Sequence, residues 1–344
     1  DAKPLIFVCD PKKSAVIEVL AEQTGVGKVF TLSADGLGSL IDALPMHTHR
    51  FKEVARGKDD LAAFLYTSGT TGRSKGAMLT HNNLVSNAQS LCQCWHFDNT
   101  DVLIHALPLF HIHGLFVATN VTLSAGSSMI FMPQFDSEMI ISLMSRTTVL
   151  MGVPTFYVRL LESANLCAAT VAPMRLFISG SAPLLAETHK QWQEVTGTAI
   201  LERYGMTETN MNTSNPYEGE RRAGTVGMPL PGVEVRIADA DSGQPLAQGE
   251  IGSVEIRGPN VFKGYWQMPE KTKQEFREDG FFITGDIGTM DDDNYLSIVG
   301  RSKDLIISGG YNVYPKEIEI ILDDVDGVYE SAVIGVPHPD FGEG

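Results

Sequence analysis

The residues best suited to chemistry stand together in Tyr66-Thr67-Ser68-Gly69-Thr70-Thr71-Gly72-Arg73-Ser74-Lys75-Gly76. Three glycines, five Ser/Thr hydroxyls and one lysine follow an apolar run, 61–65, that reads as a buried strand. Glycine lets the backbone curl so that N–H groups converge, and hydroxyls and Lys75 add donors and charge. That is a cradle for phosphate; the plainer reading is a flexible surface loop. It is not the common nucleotide P-loop, which needs Gly, four residues, then Gly-Lys-Ser/Thr. His111 and His113 flank one residue after a strand-like run. They could ligate a metal, but no third ligand lies at a useful spacing, so a core or gating role weighs more. Cys9, Cys92, Cys94 and Cys167 make no repeated pair, so neither a disulfide framework nor a zinc site is expected.

The loop closely resembles the signature loop of the adenylate-forming enzymes: acyl-CoA synthetases, luciferases and peptide-synthetase adenylation domains. Members usually carry Pro where this chain has Ser74. Three more stretches resemble the family's other signatures, in family order. They are Glu202-Arg203-Tyr204-Gly205-Met206-Thr207-Glu208-Thr209, then Gly264-Tyr265-Trp266 with Asp279-Gly280-Phe281-Phe282-Ile283-Thr284-Gly285-Asp286, then Gly300-Arg301-Ser302-Lys303-Asp304-Leu305-Ile306 with Ser308-Gly309-Gly310. The resemblance covers 61–344.

The resemblance implies ATP, Mg²⁺ and coenzyme A as ligands, and it implies roles. Thr67, Ser68, Gly69, Thr70, Thr71, Gly72 and Lys75 would cradle phosphate. Tyr204 offers a flat face to adenine and Thr207 a hydroxyl near phosphate. Glu202, Gly205 and Met206 belong to the same nucleotide-binding stretch. Glu208 is a hard carboxylate suited to Mg²⁺. Asp286, expected at a strand end, can take both ribose hydroxyls, and Arg301 would hold ribose or phosphate from the other side. Gly180, Ser181, Ala182 and Pro183 would line the adenine edge; a plain strand-to-helix turn is the alternative. Lys303 would be the hinge about which a small C-terminal domain rotates, or else an ordinary surface lysine. Ser308, Gly309 and Gly310 would line a channel for coenzyme A. Thr207, Glu208 and Lys75 form the expected catalytic set.

The acyl pocket is expected among His111, His113, Ser179, Arg203, Met211 and Asn212. Arg203 is the most telling. A fatty or aromatic acid wants an apolar or small residue there, and a buried guanidinium without an anion costs several kcal/mol. It therefore points to a substrate with a second carboxylate, held by paired N–H donors. The alternative is an Arg203–Glu202 salt bridge outside the pocket. The stretches 206–217 and 258–272 are similar to the malonyl-CoA synthetase branch of the family. The resemblance thus implies activation of malonate, methylmalonate or a close short acid to an acyl-adenylate, then transfer to coenzyme A. A non-catalytic nucleotide- or acyl-binding module is the rival.

An α/β architecture must position these residues. Strand-like runs at 5–8, 28–31, 61–65, 102–107, 128–131, 148–151 and 175–178 alternate with helical spacing at 14–22, 82–94, 114–123 and 184–194. From about Gly227 the texture changes to alternating apolar and polar residues, at 232–237, 252–257 and 295–299. The expected division is 1–226 (parallel α/β subdomains), 227–301 (a smaller, barrel-like β subdomain) and 302–344 (hinge and start of a small α+β domain). Strand-like runs at 5–8 and 332–336 sit close to both ends, so both ends are expected to be cut. Members carry a catalytic lysine in a later Gly-Lys motif, so this piece is expected to bind nucleotide but adenylate poorly. Lys and Arg number 26 against 42 Asp and Glu, a net charge of −16 over 344 residues. That balance excludes a general nucleic-acid binder, and no run is long and apolar enough to span a membrane. Small-molecule substrates and a cytoplasmic location are expected, or a mitochondrial one if a presequence is missing.

Overall fold

The structure, a computed structural model, describes residues 4–44, 52–67, 74–308, 311–323, 325, 327–328 and 331–344. They fall into two units, Asp1–Arg56 and Gly57–Gly344. In the first, β1 (Ile6–Cys9) and β2 (Lys28–Thr31) pair in parallel, joined through a helix at Ser14–Thr24. Short links on either side of the helix force that parallel arrangement.

The second unit begins with β3 (Leu61–Thr67) and β4 (Lys75–Thr80), an antiparallel pair around the glycine-rich loop. The sequence pattern does not reveal β4, and β3 is partly exposed rather than the buried strand expected at 61–65. A helix, His81–Cys94, follows at once. Thr80 Oγ1 accepts from the Asn83 amide (3.1 Å) and Asn83 Oδ1 from the Thr80 amide (2.8 Å), which caps the helix reciprocally. Asn83 Nδ2 also donates to the carbonyls of Pro259 (2.8 Å) and Val261 (2.7 Å). Close by, Met78 N donates to Gly264 O (3.0 Å), Lys263 N to Met78 O (2.9 Å) and Trp266 N to Gly76 O (2.8 Å). The strand that leaves the loop thus gains a neighbour from far along the chain.

Then come β5 (Val102–His105), β6 (Ser128–Phe131), β7 (Val149–Gly152), β8 (Leu176–Ser179), β9 (Leu201–Met206), β10 (Asn210–Ser214) and β11 (Met228–Pro229). Among the described residues they form a seven-stranded sheet in the order β11-β10-β9-β8-β7-β5-β6. Pairing is parallel from β6 to β9. β7 and β8 are buried at every position, as strands covered on both faces must be. Trp192, from the helix Ala186–Thr196, packs edge-on against Tyr157 (5.1 Å between centroids) and Phe177 (4.9 Å) on one side.

Two expectations need correction. The strand–helix alternation is interrupted within 1–226: β3 and β4, and again β9 and β10, form antiparallel hairpins. The helix expected over 114–123 is present; it opens as a π-helical turn, His113–Ala118, and continues as an α-helix, Thr119–Ala125. Such turns concentrate at functional sites. Residues 331–336 carry no regular structure, so the strand expected at 332–336 is absent.

β12 (Glu234–Ala238), β13 (Gly252–Arg257), β14 (Phe282–Met290) and β15 (Leu296–Arg301) make a four-stranded antiparallel sheet in chain order. Asp286 lies inside β14, not at a strand end, because β14 continues through the polar Thr284-Gly285-Asp286 step. β16 (Ile306–Ser308) and β17 (Tyr311–Val313) follow a short 3₁₀ turn at Ser302–Asp304, and a helix spans Pro315–Asp323. β18 (Pro337–His338) and β19 (Gly342–Glu343) complete that sheet. No helix of the described residues is long and apolar enough to cross a membrane.

Candidate functional site

Parallel pairing of β8 with β9 places Ser179 beside Glu202. The turn Gly180-Ser181-Ala182-Pro183 therefore faces Arg203 and Tyr204 at the carboxyl ends of the parallel strands, where α/β sheets bind ligands. A cleft of about 1550 Å³ opens there, lined by Ser181, Ala182, Pro183, Glu202, Arg203, Tyr204, Gly205, Asp286, Arg301 and Lys303.

One wall of this region is polar and unsatisfied. Arg203 is 2% exposed, yet its Nε and Nη2 have no hydrogen-bond partner. Among the described residues it makes no ion pair, Glu202 included. Burial pulls its pKa down to about 10 against the pull of Tyr157 and Glu202. Gly180 lies directly against the guanidinium: a Cβ there would stand 2.5 Å from Arg203 Cζ. His113 Nδ1 bonds to Ser181 Oγ (3.1 Å), while His113 Nε2 has no partner. Burial, then the Arg203 charge, holds the His113 imidazole well below its ordinary pKa, so it is neutral. Ser181 adopts φ 74°, a strained value for a non-glycine residue. Ser179 Oγ is also buried and unpaired. Glu202 Oε1 accepts from Leu184 N (3.1 Å) and Oε2 has no partner; burial pushes this carboxyl up to about 8.

The opposite wall is a finished chain of bonds. Tyr204 Oη donates to Asp286 Oδ2, and Arg301 Nε pairs with Asp286 Oδ1 at 2.6 Å. Asp286 and Arg301 are cross-strand partners on β14 and β15, which fixes that ion pair. Burial raises the Asp286 pKa despite Arg301 and Tyr204. Gly205 pairs with Met211 at the end of β9; a Cβ there would meet Asn210 O at 1.9 Å, which no side chain tolerates.

Met206, Thr207 and Glu208 form the tight turn to β10, closed by Thr209 N to Met206 O (3.1 Å). Glu208 is 4% exposed, and its Oε1 accepts from Tyr265 Oη at 2.9 Å. Burial raises its pKa, and the Tyr265 bond opposes that. The same Tyr265 Oη lies 2.7 Å from Glu275 Oε2 and 3.2 Å from Lys75 Nζ. Lys75 pairs across the hairpin with Thr67, whose Oγ1 is buried and unpaired.

His111 is exposed and packs on Phe110 (4.6 Å between centroids). Met211 is part of the apolar core, and Asn212 Oδ1 accepts from Asn260 Nδ2 (3.0 Å). Lys303 is exposed at the rim of the cleft, and Ser308 ends β16. Ser68, Gly69, Thr70, Thr71, Gly72, Gly309 and Gly310 lie outside the described residues. Among the described residues no cluster of three or more His, Cys, Asp or Glu could hold a metal. Sequence reasoning missed Glu275 and the part played by Tyr265. Tyr265 sits inside the Gly264-Tyr265-Trp266 signature; nothing marks Glu275 locally.

A cleft at the carboxyl end of a parallel sheet, in a chain whose β3 and β4 bracket a glycine-rich stretch of sequence, defines the class. Residues 2–266 match the family described as AMP-binding enzyme, and the chain belongs to it. It is 42% identical over 303 residues to a probable CoA ligase, CCL8, of Humulus lupulus, covering 82% of this chain and 50% of that protein. It is 41% identical over 312 residues to a malonate–CoA ligase of Arabidopsis thaliana, covering 84% of this chain and 51% of that one. The chain thus spans about half the length of these curated relatives. ATP-bound MatB from Rhodopseudomonas palustris superposes with a TM-score of 0.97 at 63% identity, covering 100% of this chain and 68% of MatB.

Proposed function

We propose that this protein is an ATP-dependent acid–thiol ligase. It activates malonate, or a close dicarboxylate, to an acyl-adenylate and passes the acyl group to coenzyme A, giving malonyl-CoA, AMP and pyrophosphate. The observation that carries the substrate class is Arg203. A buried, unpaired guanidinium is costly unless a ligand supplies the anion. The second carboxylate of the substrate supplies it, with Ser179 and neutral His113 completing the hydrogen bonds. The malonate–CoA ligase of Arabidopsis supports the same choice of acid.

In this reading Tyr204 stacks on adenine beside Gly180, Ser181, Ala182 and Pro183, and Asp286 takes the ribose hydroxyls with Arg301 behind it. Lys75 and the loop hold the β- and γ-phosphates. The carboxylate of the acid that is not on Arg203 attacks the α-phosphorus, and pyrophosphate leaves. The thiol of coenzyme A then attacks the acyl carbon and AMP departs. These residues position reactants and neutralise charge, and no protein nucleophile is needed. Mg²⁺ fits the donor set: Glu208 is a buried carboxylate with only one oxygen bonded to Tyr265. A single carboxylate beside phosphates and waters is how Mg²⁺ is usually held, and Glu208 and Thr207 would hold it. Lys303 serves as the hinge of the region after Arg301, with Ser308 near the coenzyme A path. A cytoplasmic location belongs to the same reading.

The test is ATP–pyrophosphate exchange by the full-length protein against a panel of mono- and dicarboxylic acids. Exchange with malonate or methylmalonate, and little with acetate or butyrate, is expected; Arg203→Leu should reverse the preference. Equal exchange with monocarboxylates by the unaltered protein would overturn the substrate class. Nucleotide binding with no exchange for any acid would favour a binding module.

A further inference from the structure

Two lysines, two glutamates and a tyrosine meet where β4, the turn before β10 and the helix Pro269–Gln274 converge. Tyr265 is 2% exposed and carries one hydroxyl hydrogen, yet two carboxylates lie against its oxygen. The two are not equally needy. Glu275 Oε1 has Lys271 Nζ at 2.8 Å and Lys75 Nζ at 3.4 Å. Glu208 has no cation in ion-pair range among the described residues, and Tyr265 is its side-chain partner. The phenolic hydrogen therefore does most for Glu208. Lys75 donates to the phenol oxygen and leaves that hydrogen for the carboxylates.

The ring and its backbone are both held. Lys75 Nζ sits 4.4 Å from its centroid, Phe262 packs edge-on at 4.8 Å, and Tyr265 N donates to Thr272 Oγ1 at 2.9 Å. The hydroxyl is thus delivered to one place, and it engages one Glu208 oxygen only.

We propose that Tyr265 is the positioning residue of the Glu208 carboxylate, and that Glu275, with Lys75 and Lys271, clamps Tyr265 in that role. With one Glu208 oxygen fixed, the other is presented to the divalent cation. Partners of this outer kind orient metal-binding groups, and their loss typically weakens metal affinity about 10–100-fold. The proposal rests on Glu208 being the cation-binding residue of the site.

The experiment measures Mn²⁺ binding by electron paramagnetic resonance in the full protein saturated with α,β-methylene-ATP, which cannot transfer its adenylyl group because the α,β-bridge does not cleave. Affinity for the analogue without metal is measured alongside. Tyr265→Phe should weaken Mn²⁺ binding about tenfold while metal-free analogue affinity stays within twofold. In turnover, the half-saturating Mg²⁺ should rise while kcat recovers at high Mg²⁺. Glu275→Gln, altered from the more accessible side, should shift Mn²⁺ in the same direction by a smaller factor, so the result does not depend on Tyr265→Phe folding. Mn²⁺ affinities within twofold of the unaltered protein in both variants would overturn the proposal. Failure of Glu208→Gln to abolish Mn²⁺ binding would instead overturn the assignment of Glu208.

Discussion

Gly180 and Arg203 touch: the glycine has no side chain because the guanidinium fills that volume, 2.5 Å from where a Cβ would be. The backbone at Gly180 is not in the left-handed region, so space, not φ, makes the demand.

Gly180→Ala should therefore act on the acid and not on the nucleotide. Overpacking of this kind costs about 1–3 kcal/mol. Displacement of Arg203 by that amount should appear as a roughly ten- to hundredfold rise in KM for the dicarboxylate, with KM for ATP within about threefold. Steady-state kinetics on both substrates separates the two; equal rises in both would mean the turn as a whole had moved.

Arg203→Leu should stabilise the ligand-free protein while removing dicarboxylate use. A buried charge without a partner opposes folding, and apolar replacements at such sites gain about 1–4 kcal/mol. The ligand-free Tm should rise. Adding malonate should narrow the gap, because it stabilises only the protein that binds it.

Glu202 sets a pH dependence with a definite sign. Its carboxyl is pushed up to about 8 in the folded protein from an ordinary value of 4.5, burial being the main cause. Between those values the folded state holds a proton that the unfolded state has released, so stability falls as pH rises. The penalty is absent below the lower value and complete above the upper one. Glu202→Gln should remove it, so the variant should gain on the unaltered protein from pH 5 to pH 8 by about a few kcal/mol. Denaturant unfolding at several pH values, without ligand, measures this; parallel curves would contradict it.

Asp286→Asn should weaken AMP binding about 10–100-fold, since a hydrogen bond to a charged group contributes about 1.5–3 kcal/mol. The amide keeps the shape but loses the ion pair that holds Arg301. Calorimetric titration with AMP reads it directly.

Much of the frame was legible because period and chemistry agreed. The parallel strands at 128–131 and 148–151 are short apolar runs, and the stretch 82–94 keeps helical spacing. Where a strand carries function, the pattern fails. β9 reads Leu201-Glu202-Arg203-Tyr204-Gly205-Met206, with Glu202 and Arg203 charged-type residues that are buried, and no alternation survives. β14 is hidden by its Thr284-Gly285-Asp286 step in the same way. Sites that break local rules are where sequence reading should miss. Arg203 stood out because its type is improbable at the position where the family resemblance expects an acyl pocket. Glu275 was not, because Lys273-Gln274-Glu275 looks like any solvated helix end, and its meaning comes from Lys75, 200 positions away.

The neighbour that β4 acquires from 263–266 has a consequence for synthesis. Tyr265 lies 190 positions after Lys75. A two-stranded ribbon alone is marginal in water, so β3 and β4 remain an unsupported hairpin on the nascent chain until that distant stretch leaves the ribosome. Lys75, proposed above to meet phosphate, is thus set in place late.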